Sequence, residues 1–288
     1  VVLDESTGRV KEIEIKVYED LECPQYKTYK VKGTVFVLAA NAIENARLML
    51  ASELTGSSGM VGRHLMDHPY LLSWANLNKV AGVLNGTVVT SGISNLRNGS
   101  FRKDQAAFAV DIHNDGWGWA TGAPISNLVH CVDHLNKFGA DLRNELVKQV
   151  SGQLLLAFMV EMLPEYNNRV SVDPNYRDAL GNMRPVISYQ IPDYSMNGVA
   201  YSHQLAQKIF QYIGAEDHTV YDPLDYGYVN YDGKGYALRG GNHIAGTHIM
   251  GSSKLNSVVN ADQKSWDHDN LYLVGAGSMP TIGTSNTT

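Results

Sequence analysis

Cysteine is scarce: the 288 residues include two, Cys23 and Cys131. That is too few for a disulfide framework, and the pair lacks the C-x-x-C spacing of a redox or zinc motif, so the compartment stays open. Long apolar runs are also missing. The longest, Leu154 to Val160, stops at Glu161, whereas a membrane-spanning helix needs roughly twenty apolar residues. Basic charge is in deficit, with 23 Lys and Arg against 29 Asp and Glu and a net charge of −6, which weighs against a nucleic-acid surface. Neither an internal repeat nor a low-complexity linker is found. What remains is ordinary globular composition, 44% hydrophobic and 18% charged, with length for one large domain or two smaller ones. The chain opens "VVLDESTGRV" without an initiator Met or a signal peptide and closes on "TIGTSNTT", which reads as the cap of a helix that does not follow. We therefore expect a piece of a longer protein.

Several elements are legible. "RVKEIEIKVYE", Arg9 to Glu19, alternates charge and apolarity as a half-exposed strand does. "VKGTVFVLAA" is apolar on both faces towards its end, as a buried strand would be. It runs into "NAIENARLMLAS", a helix capped by Asn41 with Glu44 placed for a capping box, and with Ile43, Ala46 and Leu50 along one face. In the middle, "LLLAFMVEMLP", "NRVSVDP" and "PVISYQIPD" are short strands bounded by Pro, Asn and Asp. A helix over Asn197 to Ile213 carries Val199, Ala206, Ile209, Phe210 and Ile213 at helical spacing and stops at Gly214. An antiparallel sheet with helices on one side accounts for this texture. "NLYLVGAG" returns to buried-strand character.

The chemistry-bearing stretch is "GGNHIAGTHIMG", Gly240 to Gly251, with His243 and His248. Residues i and i+5 point about 140° apart on a helix and to opposite faces of a strand, which disfavours a chelating pair. The glycines allow close backbone approach to a flat ligand, leaving a catalytic base or structural histidines as the readings. "VFVLAANAIENARLML" is a strand, small residues and a capped helix, which suits either a ligand at the positive helix end or plain close packing. "LYLVGAGSMPTIGT" starts like a dinucleotide fingerprint at Gly275 and Gly277, but Pro280 stands where its helix should run. The glycine pair still offers N–H groups to a phosphate or ribityl chain. "GWGWATG" at Gly116 follows no strand and is set aside. His64 and His68, and His130 with His134, sit at i, i+4 without a third ligand; packing or surface roles are the plainer reading and no metal is expected.

Taken together and in order, "VFVLAANAIENARLMLAS", "GGNHIAGTHIMG" and "NLYLVGAGSMPTIGTSNTT" resemble the glucose–methanol–choline (GMC) family of FAD-dependent oxidoreductases. "VGRHLMDHP" and "SWDHDNLYL" look most like its bacterial sugar and sugar-acid dehydrogenases and its pyranose oxidases. The motifs lie towards the two ends of the chain; the middle resembles the family only in texture.

The resemblance implies the following. His243, in the H-x-x-G-T segment, is the base and Asn286 its partner, with His248 structural. FAD lies against Ala39, Ala40, Asn41, Gly275, Ala276, Asn286, Thr287 and Thr288, where the N–H groups of the last two would stabilise charge on the reduced flavin. The family's dinucleotide-binding G-x-G-x-x-G is absent here, and its usual Asn-Pro is Asn286-Thr287, which removes the ring that would fix φ in that loop. The implied fold is an incomplete α/β, Rossmann-like FAD-binding domain, residues 1–66 and 237–288, interrupted by an α+β substrate domain with an antiparallel sheet, residues 67–236. The implied function is oxidation of a CH–OH group of a sugar, sugar acid or polyol by hydride transfer to flavin N5. The partners are then a small-molecule alcohol and an electron acceptor that is oxygen, quinone or an electron-transfer subunit. The rivals are an NAD(P)-dependent dehydrogenase using Gly275 and Gly277, and a non-catalytic ligand-binding module on the same fold.

Overall fold

The apolar stretch Leu154–Val160 forms the middle of a sheet. In the computed structural model, which describes residues 1–20 and 25–285, strand Gln153–Val160 pairs antiparallel with Pro69–Asn76 on one side and Phe108–His113 on the other. Tyr228–Tyr231 and Lys234–Gly240 extend the sheet beyond Pro69–Asn76, Val89–Ile93 closes its other edge, and Glu216–Asp217 pairs with the end of Pro69–Asn76. The central strand carries no alternation because both sheet faces are covered. On one face lies helix Asp193–Ile213, whose Val199, Ala206 and Phe210 pack on Leu71, Phe108, Leu156 and Phe158. Burying a side chain such as Phe210 stabilises by about 1.5–3 kcal/mol. The helix starts before the expected Asn197, since Asp193 in its first turn suits the positive end of the helix. It stops at Gly214, in the left-handed conformation with φ 68°. On the opposite face Tyr70, Leu72, Leu155, Ala157 and Met159 meet Trp117. The Trp117 indole N–H is shared between the carbonyls of Ala75, at 3.1 Å, and Leu154, at 3.2 Å.

A second core joins segments far apart in the chain. Strand Phe36–Leu38 runs parallel to Leu271–Leu273, and Val10, Met49, Leu54 and Val61 cluster there with Val258 and Val259. The strand is shorter than "VKGTVFVLAA" suggested and is covered on one side only: Phe36 and Leu38 are buried, while Val35 and Val37 are 57% and 53% exposed. Successive side chains alternate in a strand, so an apolar run still leaves one row outward when nothing covers it.

Helix Ala42–Ala51 follows, and the Asn41 side chain accepts from the Glu44 N–H at 3.0 Å, as a cap should. Glu44 does not reach back to complete a capping box; its carboxylate takes Arg47 at 2.7 Å. The inward face is Ala42, Asn45, Ala46 and Met49, with Ile43 and Leu50 only partly buried. A buried Asn rotates the stripe from the one that apolarity alone indicated.

Strand Val10–Tyr18 forms as expected, yet its alternation faces the other way. Glu12 is inward and bonded to Lys30 at 2.6 Å, while Ile15 and Val17 are exposed. Strands Arg169–Arg177 and Met183–Ser188 leave the central sheet and pair with each other. They lie along helix Ala42–Ala51, where Val170 meets Ala46 and Arg47 donates to the Met183 carbonyl. Among the described residues no helix is long and apolar enough to cross a membrane.

Candidate active site

Two adjacent strand ends build the site. Strand Lys234–Gly240 pairs antiparallel with Pro69–Asn76, setting Gly240 opposite Pro69, and one further rung joins the Gly241 N–H to the His68 carbonyl at 3.0 Å. The chain then turns at Asn242, whose φ of 58° is left-handed, a conformation Asn tolerates better than most residues. Asp67 holds this turn from the other strand. Its carboxylate accepts the His243 N–H at 2.8 Å, the His68 N–H at 2.8 Å and the Asn242 N–H at 3.3 Å. His68 and His243 are thereby brought together edge to face, with their Nδ1 atoms 3.0 Å apart. The outer nitrogen of His68, Nε2, lies 2.8 Å from the Gly283 carbonyl oxygen. His68 is fully buried and His243 half-buried. Burial pushes the His68 imidazole below its usual pKa, the Gly283 carbonyl pulls it back up, and neighbouring His243 depresses it further.

Asp67, His68 and His243 set their ligand atoms within 4.8 Å of one another. The Asp67 carboxylate is already engaged by three backbone N–H groups, and the two imidazoles meet at hydrogen-bond distance. The arrangement is a hydrogen-bonded histidine pair on an acidic anchor.

Beyond His243 the loop is stitched on both sides. Met66 and Ala245 exchange backbone hydrogen bonds at 3.0 Å, and the Thr247 hydroxyl donates to the Ala42 carbonyl at 2.6 Å. The His248 and Met250 N–H groups donate to the carbonyls of Gly277 and Ser278 at 2.9 and 2.8 Å. Gly246, at φ 88°, passes so close to the His64 carbonyl that a Cβ would overlap it. His248 is fully buried and its ring lies on Gly277, where a Cβ would overlap the imidazole. Both its ring nitrogens lack partners among the described residues, and burial pushes its pKa down to about 4.

Next to this loop is a cradle of small residues. Ala39, Ala40 and Asn41 are exposed at the start of helix Ala42–Ala51, and Gly275, also exposed, has φ 103°. Asn45 positions the cradle: fully buried, it accepts the Ala40 N–H at 3.1 Å and donates to the carbonyls of Leu38 and Val274 at 3.1 and 3.2 Å. One side chain thus ties the helix start to the ends of both parallel strands. A pocket of about 330 Å³ opens there, lined by Asn41, Ala42, Ile43, Asn242, Ile244 and Ala276. Its walls are a helix N-terminus and the two neighbours of His243.

The structure therefore gathers Asn41, Ala276 and the His243 loop, with Ala39, Ala40 and Gly275 alongside. Asn286, Thr287 and Thr288 lie outside the described residues, as does Cys23. His64 does not pair with His68; its Nδ1 goes to the Pro164 carbonyl at 3.0 Å. His130 and His134 are exposed, with ring centroids 5.3 Å apart and no third ligand grouped with them among the described residues. Sequence reasoning gave His68 a packing or surface role and passed over Asp67 and Asn45. The available signal for the first two was Asp67-His68 directly before Pro69, two titratable residues at a strand start. Asn45 gave none, because a buried Asn in a helix looks like a surface residue.

Residues 164–288 match the family model described as GMC oxidoreductase. The fructose dehydrogenase large subunit of Gluconobacter japonicus is 30% identical over 274 residues, covering 92% of this chain and 46% of that protein. The 2-methyl-1,2-propanediol dehydrogenase of Mycolicibacterium austroafricanum is 24% identical over 276 residues, with 90% and 46% covered. The chain thus spans less than half the length of these relatives. Among solved structures, pyridoxine 4-oxidase from Mesorbium loti aligns with a TM-score of 0.57 at 18% identity, over 96% of this chain and 52% of that one. Formate oxidase from Aspergillus oryzae aligns with a TM-score of 0.60 at 13% identity, over 99% and 56%. The likeness of this chain to GMC oxidoreductases thus rests on the family-model match over residues 164–288 and on these partly covered relatives.

Proposed function

We propose that this chain is part of an FAD-dependent oxidoreductase that oxidises a CH–OH group of a sugar, sugar acid or polyol, with His243 as the base. The observation that carries the reading is His243 itself. It stands in the H-x-x-G-T segment, tied through Nδ1 to a buried histidine, and its neighbours line a pocket at a helix N-terminus. The names of the relatives, a fructose dehydrogenase and a propanediol dehydrogenase, support the substrate class. The Aspergillus oryzae formate oxidase, whose FAD modification was studied, supports the cofactor.

The residues present fit FAD. Ala39, Ala40, Gly275 and Ala276 keep side chains small where a flat, phosphate-bearing molecule must approach backbone. The N-terminus of helix Ala42–Ala51 is a favourable place for negative charge. Asn41 lies at that wall, and Asn286, Thr287 and Thr288 would complete the site from the C-terminal stretch. Bound FAD supplies the acceptor for the hydride that leaves the carbinol carbon. His243 takes the hydroxyl proton, which a neutral imidazole can do near neutral pH. Asn286 would hold the hydroxyl oxygen in line, since orientation lowers the barrier. The same reading divides the chain into FAD-binding segments 1–66 and 237–288 around a substrate-binding segment 67–236.

The test is a visible spectrum of the full-length protein before and after anaerobic addition of a sugar and polyol panel. Bleaching of a yellow flavin band by a CH–OH donor is expected, and His243→Ala should slow it by roughly 10²–10⁴-fold, the usual worth of a general base. A colourless protein that binds nicotinamide cofactor, or bleaching at an unchanged rate in H243A, would end this reading.

A further inference from the structure

The hydrogen bonds around His68 decide which nitrogen of His243 is free to accept a proton. The Gly283 carbonyl oxygen can only accept, so the contact at 2.8 Å requires a proton on His68 Nε2. A neutral imidazole carries one N–H, which leaves His68 Nδ1 with a lone pair. The 3.0 Å contact between the two Nδ1 atoms then requires that His243 Nδ1 be the donor. His243, neutral, is left with its lone pair on Nε2. Asp67 fixes the backbone on which this depends, by accepting the N–H groups of both histidines.

We propose that His68 is a positioning residue that holds His243 in the Nδ1–H tautomer, with the Gly283 carbonyl as the anchor that sets the direction of the chain. This rests on the proposed function for its purpose, though not for its geometry. The proton balance is simple: the substrate O–H bond breaks, an Nε2–H bond forms on His243, and His243 keeps its Nδ1–H, hydrogen-bonded to His68 Nδ1. If His68 were protonated, both its nitrogens would donate. His243 Nδ1 would then have to accept, Nε2 would carry the hydrogen, and the base would be blocked. Burial opposes that state by disfavouring charge on His68. A wrong tautomer is costly in an analogous setting: in a serine protease, disturbing the group that orients the catalytic histidine lowers kcat by about 10⁴-fold.

The test uses the full-length protein labelled with 15N at histidine. Two-bond proton–nitrogen correlations at neutral pH report which ring nitrogen carries hydrogen, without turnover. His243 is expected as the Nδ1–H tautomer and His68 as Nε2–H. In His68→Leu, His243 should lose that preference and populate Nε2–H, and flavin reduction should slow by roughly 10²-fold or more with KM little changed. His68→Gln should restore much of both, because an amide offers an acceptor and a donor one carbon apart, as an imidazole does. Finding His243 as Nε2–H in the unaltered protein would overturn the assignment, even if H68L fails to fold. So would equal effects of H68L and H68Q, or stoichiometric zinc uptake that strips the Nδ1 proton, which would make the pair a chelate. The expected tautomers in a protein whose flavin no CH–OH donor reduces would uphold the assignment and sink the proposed function instead.

Discussion

His243 and His248 share a loop and five residues of sequence, yet their surroundings set them to different uses. His243 is half-buried beside a pocket and hydrogen-bonded to another imidazole. His248 is sealed against Gly277, with a pKa near 4 against 6.5 for a free imidazole. For a base whose folded pKa lies below its unfolded one, the unfolded chain binds the proton first as pH falls. The associated stability is therefore complete above about pH 6.5 and is lost progressively towards pH 4, amounting to roughly 3 kcal/mol for a shift of this size. His248→Leu should flatten that part of the stability curve, as read by urea unfolding at pH 7 and pH 4.5. An unchanged difference between the two pH values would assign the acid sensitivity to other groups.

At the scale of elements, what could be read beforehand was periodicity, and what could not was direction. The helix over Asn197 to Ile213 followed from apolar spacing, because packing on a sheet needs one face, and its stop followed from Gly214, but its first turn from Asp193 did not. The strand at Val10–Tyr18 followed from alternation, but a buried Glu12 bonded to Lys30 and an outward Ile15 reverse the usual assignment of faces. The pairing of Arg169–Arg177 with Met183–Ser188 apart from the central sheet depends on contacts with a helix more than a hundred positions away, which no local pattern records. In the candidate site, His243 was legible because its motif is contiguous. His68 was not, because its partners come from Gly283 and from His243 itself.

Asn45 is the sharpest case of an element-scale role held by one side chain. Asn45→Leu would keep the helix yet leave the Ala40 N–H and the Val274 carbonyl without that partner, for a cost of about 2–4 kcal/mol. The urea midpoint should fall with an unchanged slope, the sign of lost stability without a change in compactness. A variant as stable as the parent would show that the helix start is held by its other contacts alone.

At the scale of the whole molecule, the proposed function makes the small-residue cradle one wall of a cofactor site. The pocket beside Ala276 is about 330 Å³, at the small end of the range for drug-sized ligands, and the small-residue cradle next to it is open. Val35 and Val37 are outward on the neighbouring strand. Residues 1–288 expressed alone should therefore bind FAD weakly, and their exposed apolar rows should favour self-association. Flavin fluorescence titration, with light scattering alongside, checks both. Tight stoichiometric binding would mean that the site is complete within this chain.

His68 and His243 are 175 positions apart in sequence and about one rung apart in the sheet. The spacing of the pair is set by a register between two strands, and the long excursion between Asn76 and Lys234 supports that register by returning as Gln153–Val160 on the other side of Pro69–Asn76. The exposed loops of that excursion, unlike its core strands and helix, can lengthen or shorten so long as the sheet keeps its pairing. On the proposed function, choice of substrate would then be altered in those loops while handling of the proton stays at the strand ends. For protein engineering, exchanging those loops for a relative's, with the core strands and helix kept, would test whether they set what the site accepts.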